Sequence, residues 1–89
     1  MPIFFFLICK YLYVSKELDK IFLIKFGKNL KKIRKDKGIT QSQLAFEADI
    51  QISQISRIER GLINTTILNA RLIASILEIP ISSLFEIEN

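Results

Sequence analysis

The chain has 89 residues, enough for one small domain with a modest core, whose stability is marginal unless it pairs with a copy of itself. Thirteen Lys and Arg against nine Asp and Glu give a net charge of +4, an excess that suits a polyanionic partner without establishing one. The absence of histidine removes the usual general base and the usual zinc-ligand sets, and the single Cys9 can form no internal disulfide.

The first segment, Pro2 to Val14, reads PIFFFLICKYLYV: apolar, rich in β-favouring residues, with Lys10 inside it. It is too short for a membrane-spanning helix, which needs roughly 20 apolar residues. It also lacks the basic n-region and small-residue cleavage site of a signal peptide. Three readings stay open for it. It is a strand or helix that packs on the domain or on a second subunit, or upstream sequence translated from a misassigned start, or a weak membrane-surface anchor. Residues 1–23 are therefore taken as an apolar extension of open structure, and residues 24–89 as the domain.

From Ser15 a helical period takes over, with Ser15 placed to cap a helix through Glu17, Leu18, Ile21 and Phe22. Whether it runs on into the next helix is open, because Gly27 argues only weakly for a break. Ile24 to Lys37 sets Phe26, Leu30 and Ile33 on one side and lysines on the other, an amphipathic helix closed by Gly38. Lys25, Lys28, Lys31, Lys32, Arg34, Lys35 and Lys37 crowd this segment, whereas Glu78, Glu86 and Glu88 sit at the far end. The expectation is one basic and one acidic pole.

Thr40 caps a second helix, Gln41 to Ala48, with Leu44, Ala45 and Ala48 inward and a turn at Asp49 and Ile50. A third runs from about Ile52 to Arg60, with Ile55 and Ile58 inward and Gly61 stopping it. Thr66 caps a fourth, Ile67 to Leu77, whose inner face is Ile67, Ala70, Ile73, Ala74 and Leu77. After Pro80, Ile81 to Phe85 forms a last short turn of helix. Helix four carries a second apolar stripe, Leu68, Leu72 and Ile76 at i, i+4 and i+8, where a lone small domain would place polar residues. The expectation is that a second subunit, the N-terminal run, or both cover it.

The stretch GITQSQLAFEADIQISQISRIERG, Gly38 to Gly61, sets two short helices about a tight turn. With LKKIRKDKG before it and LEIPISSLFE after it, the region from Phe26 to Glu86 resembles a Cro/repressor-type helix-turn-helix domain of the XRE family. The resemblance covers about two thirds of the chain. It implies an all-α, compact five-helix lambda-repressor-like DNA-binding domain, here with an extra apolar N-terminal segment, in which helix three reads DNA. It also implies that Arg34 pairs with Glu59, tying helix one to helix three, that Gln41 holds a phosphate and braces the reading helix, and that Arg57 lies on the DNA side.

A reading helix enters a major groove by its N-terminal end, which here presents Gln51, Ile52, Ser53 and Gln54. The two glutamines can donate and accept, as adenine recognition requires, and Ser53 can serve a base or a phosphate. Ile52 suits a thymine methyl, with inward packing as its plainer reading. Arg57 lies one turn beyond Ser53, within reach of a guanine or a phosphate. Thr40 and Gln41 open helix two, where free amides and the helix dipole favour a phosphate. Arg60, Asn64, Thr65 and Thr66 have phosphate-binding groups near the start of helix four, although they are also ordinary loop and cap residues. The lysine run either thickens the positive field or solubilises a helix face.

The expected function is a sequence-specific DNA-binding transcriptional regulator, acting in the cytoplasm as a homodimer on double-stranded DNA at a roughly palindromic operator. The size resembles stand-alone regulators such as restriction-modification controller proteins. Two rivals are an antitoxin that binds operator and toxin, and a protein-interaction adaptor that kept the fold alone. An enzyme is not expected, nor a cofactor, metal or membrane span: no paired-carboxylate pocket or Gly-rich phosphate loop is present, and Cys9 in its apolar run reads as a buried thiol.

Overall fold

In the computed structural model, backbone is described for residues 2–87 and side chains for residues 16–87. The described residues form five helices and no strand: α1 Pro2–Asp36, α2 Gln41–Ala48, α3 Ile52–Glu59, α4 Ile67–Ile76 and α5 Ile81–Leu84. The molecule measures 54 × 24 × 19 Å, its long axis matching the span of α1.

The first helix departs from the sequence expectation. It runs unbroken for 35 residues, so Ser15 is a helix residue and not a cap, and the division between residues 1–23 and 24–89 falls inside one element. The cause is physical. Pro2 stands in the first turn, where its missing N–H costs nothing, and neither proline nor glycine follows until Gly27. The β-favouring residues between them each oppose a helix by only a few tenths of a kcal/mol. Gly27 itself is a contact and not a break. A Cβ there would collide with the carbonyl oxygens of Ile58 and Glu59, so the missing side chain lets α1 rest directly on the end of α3.

The core lies where α1 and α3 meet α2, α4 and α5. Phe26, Leu30, Leu44, Ala45, Ile55, Ile58, Ala70, Ile73, Ala74, Leu77 and Leu84 are all buried, and Ile33 and Ile50 pack at the margin. The inward sets expected for α2 and α3 match, whereas Ile67 of α4 is exposed. Its turn sits at the mouth of a cleft walled by Phe22, Leu23, Phe26 and Phe85, and Ile63 of the preceding loop packs on the core instead. Phe85 stacks against Phe22 and lies tilted against Phe26, at ring separations of 6.4 and 5.2 Å. Asn29 anchors α5 by donating from its amide to the carbonyls of Ser83 and Leu84, both at 2.9 Å.

The first four helices end alike. Each puts a residue of positive φ just past its last turn (Gly38, Asp49, Gly61, Glu78), and the N–H groups of that residue and of the one after it return to carbonyls of that turn, as Gly38 does to Lys35 and Ile39 to Arg34. At Gly61 glycine is required twice over. Its φ is 72°, and a Cβ would come within 2.6 Å of the Ile24 backbone. Asp49 and Glu78 hold the same conformation with a side chain.

Of the three acidic residues expected at a separate pole, Glu86 does not lie there, and Glu88 falls outside the described residues. Glu86 borders one groove with Lys25, Lys28 and Lys32, because α5 folds the end of the chain back along α1. Arg34 is buried and leaves the positive surface altogether.

Candidate nucleic-acid interface

The third helix is polar at its start and apolar further along. Ile55 and Ile58 anchor it in the core, whereas Gln51, Ile52, Ser53 and Gln54 are all exposed. Ile52 is 49% exposed, so the inward-packing reading of this residue does not hold. Gln51 occupies the N-cap position with extended backbone, yet its side chain makes no capping hydrogen bond. Its amide is therefore left to an external partner. Arg57, one turn past Ser53, is also exposed and forms no ion pair among the described residues.

The other end of α3 is fixed by a buried ion pair. The Arg34 guanidinium donates from Nε to Glu59 Oε2 at 2.5 Å and from its terminal nitrogen to Glu59 Oε1 at 3.0 Å. Arg34 is 6% exposed and Glu59 4%. A third donor of Arg34 reaches the Ile39 carbonyl at 2.8 Å, in the loop before α2. Gln41 completes the arrangement by donating from Nε2 to Glu59 Oε1 at 2.9 Å. One carboxylate thus joins α1, the first residue of α2 and the last residue of α3. The fork matches two guanidinium nitrogens to two carboxylate oxygens, which fixes direction as well as distance.

The start of α2 carries a complete capping box. Thr40 Oγ1 accepts from the Gln43 amide at 3.0 Å, and the Thr40 amide donates to Gln43 Oε1 at 2.8 Å. The Thr40 hydroxyl still has its own proton to donate. The amides of Gln41 and Ser42 lie in the first turn, where no helical carbonyl is available to them. An anion could take all of these at once.

The remaining sequence candidates are placed less uniformly. Arg60 is exposed and donates from Nε to the Ser56 carbonyl at 3.3 Å, lying back along its own helix. Asn64 is exposed, its side-chain oxygen Oδ1 accepting from the Thr65 amide at 2.8 Å. Thr65 has a buried hydroxyl oxygen with no protein partner, beside the cleft of Phe22 and Phe85 and not on the open surface. Thr66 caps α4 by accepting from the Asn69 amide at 3.1 Å. On α4, Leu68 is 68% exposed and Leu72 40% exposed, whereas Ile76 is half-buried against the core, so the second stripe is open at two of its three positions.

Sequence reasoning missed Gln43 as the return arm of the capping box and Asn29 as the anchor of α5. The first was available from the T-x-x-Q spacing. The second had one signal, a polar side chain on α1 beside the core positions Phe26, Leu30 and Ile33. Among the described residues no cluster of acidic or cysteine side chains fits a metal ion, and no helix is long and apolar enough to cross a membrane.

The helix-turn-helix profile HTH_3 matches residues 30–84. The control protein C.MunI of Mycoplasma sp is 38% identical over 63 residues, spanning 70% of this chain and 85% of that protein. The crystal structure of the restriction-modification controller protein C.AhdI from Aeromonas hydrophila superposes with a TM-score of 0.69 at 36% identity, covering 71% of this chain and 96% of that one. The controller protein C.Esp1396I gives a TM-score of 0.66 at 40% identity, over 73% and 83% of the two chains.

Proposed function

This chain belongs to the helix-turn-helix family and is a DNA-binding transcriptional regulator, and from that premise we propose a sequence-specific homodimer that acts on a roughly palindromic operator. The observation that carries the proposal is the contrast along α3. Its far end is locked by Arg34, Glu59 and Gln41, and its near end offers four unengaged side chains. A rigid polar probe of this kind suits a major groove, where Gln51 and Gln54 pair with adenine edges and Ile52 meets a thymine methyl. Ser53 and Arg57 extend the same face toward bases or phosphate.

Thr40 and Gln41, with the free amides behind them, hold the backbone phosphate beside the groove. Arg60 and Asn64, both exposed, border the path of the same strand, whereas the buried Thr65 hydroxyl is not available to it. Two copies meet through Leu68, Leu72 and Ile76, which removes an exposed apolar stripe from water and sets two reading helices about one DNA turn, ~34 Å, apart. Similarity to a control protein and to two restriction-modification controller proteins supports a regulatory role. The work is binding and not catalysis.

Selection of bound sequences from a random duplex pool tests this, with sedimentation of the complex alongside. The expected outcome is a two-fold symmetric site occupied by two chains. An unenriched pool would remove sequence specificity, and a single chain on an asymmetric site would remove the dimer.

A further inference from the structure

Residues 2–21 of α1 serve none of the roles above. They precede the matched family region, and Lys16 to Ile21 are all exposed. At 1.5 Å per residue they make a rod of about 30 Å ahead of the domain. Phe4, Leu7, Tyr11, Val14, Leu18 and Ile21 follow one another at alternating spacings of three and four. That spacing draws a nearly straight apolar line along a helix, the seam by which one helix packs on another. The next two places on the line are Lys25 and Lys28, so the seam ends where the helix joins the domain. At its foot Leu18 is 57% exposed and Ile21 47% exposed.

We propose that this rod is a second self-association element, pairing antiparallel with the same segment of another copy. The register follows from the seam. Positions 4, 7 and 11 of one copy fall opposite positions 21, 18 and 14 of the other, a set that maps onto itself when the two helices exchange. Charge selects the direction. Lys10 and Glu17 flank the seam one heptad apart on the same side. Antiparallel packing brings like flanks together, so Lys10 faces Glu17 of the other copy twice over. Parallel packing would oppose Lys10 to Ser15 and Glu17 to Phe22.

A bilayer is the poorer occupant. A surface-lying helix carries a basic polar face, whereas Lys16 and Lys20 here are balanced by Glu17 and Asp19, and Lys20 sits 3.8 Å from Glu17. The pairing is independent of DNA binding and of the α4 contact, and it joins dimers into larger assemblies.

The test separates the two contacts in the full chain. The L68E/L72E variant, both sites being exposed, removes the α4 contact; circular dichroism checks its fold. Sedimentation at about 100 µM is expected to leave it dimeric through the rod. In that background K10E and E17K each raise the dissociation constant by about tenfold or more, and the exchanged pair K10E/E17K returns it to within about threefold. L7D/L18D abolishes association. A monomeric L68E/L72E protein overturns the proposal, as does an exchanged pair as weak as either single change. Co-sedimentation of that variant with mixed phosphatidylcholine and phosphatidylglycerol vesicles, lost in L7D/L18D, overturns it in favour of the membrane. Loss of symmetric operator selection in L68E/L72E alone bears on the α4 contact and leaves the rod standing.

Discussion

Arg34 and Glu59, 25 positions apart in the chain, form a buried two-point ion pair that also holds Gln41 and the Ile39 carbonyl. Its members come from α1, from the start of α2, proposed to meet a phosphate, and from the end of α3, proposed to read. On that proposal folding and reading share one carboxylate.

Removing that carboxylate in Glu59→Ala strands a buried guanidinium and is expected to cost about 3–5 kcal/mol. Operator binding should fall with stability, even at temperatures where the variant is folded. Replacing both partners, Arg34→Met with Glu59→Leu, should recover most of the stability, because no charge is left buried. Urea denaturation of the three proteins decides it, and an unchanged midpoint for Glu59→Ala would contradict the role assigned to the pair.

Base reading and backbone holding should separate under mutation. Gln51→Ala and Gln54→Ala are each expected to weaken binding to the selected operator by about 1–3 kcal/mol and to relax preference at one base pair. Arg60→Ala should weaken binding to every duplex alike and lower the slope of log affinity against log salt by about 1. Titrations over several salt concentrations distinguish the two classes. Equal losses on operator and random DNA for the glutamine variants would remove their assignment.

Asp49 closes α2 at a φ of 54°, with its carboxylate beside the negative end of that helix. Glycine relieves both penalties, so Asp49→Gly should stabilise the domain by about 0.5–1 kcal/mol without altering DNA binding. A lower denaturation midpoint would show that the side chain holds the turn in some other way.

Gly27→Ala tests the close approach of α1 to α3. One methyl group meets two backbone carbonyls that cannot rotate away, and the expected loss is about 2–3 kcal/mol despite the better helix propensity of alanine. A neutral result would mean that the helices can part without cost.

What the sequence revealed was mostly local. Thr40 and Thr66 were legible as caps because a capping hydroxyl acts within three residues, and the inward faces of α2 and α3 followed from period alone. The Arg34–Glu59 pair came from family resemblance, since nothing within either helix indicates a partner 25 residues away. Gly27 was ambiguous because its meaning lies in the carbonyls of another helix. Ile67 was misplaced because period cannot say where the core ends, and Glu86 because α5 turns back along α1. The reading end of α3 was legible in residue type, but its freedom from internal bonds emerged only in three dimensions.

The third helix is clamped at Glu59 and over Gly27, it is seated in the core through Ile55 and Ile58, and its first turn, proposed to read, is exposed. Eight residues give a lever of about 12 Å, so a tilt of about 5° at the clamp swings the tip by about 1 Å. That displacement separates a good hydrogen bond from a lost one. If that first turn reads bases as proposed, accuracy at the nucleotide edge is set at the opposite extremity, by residues remote from it.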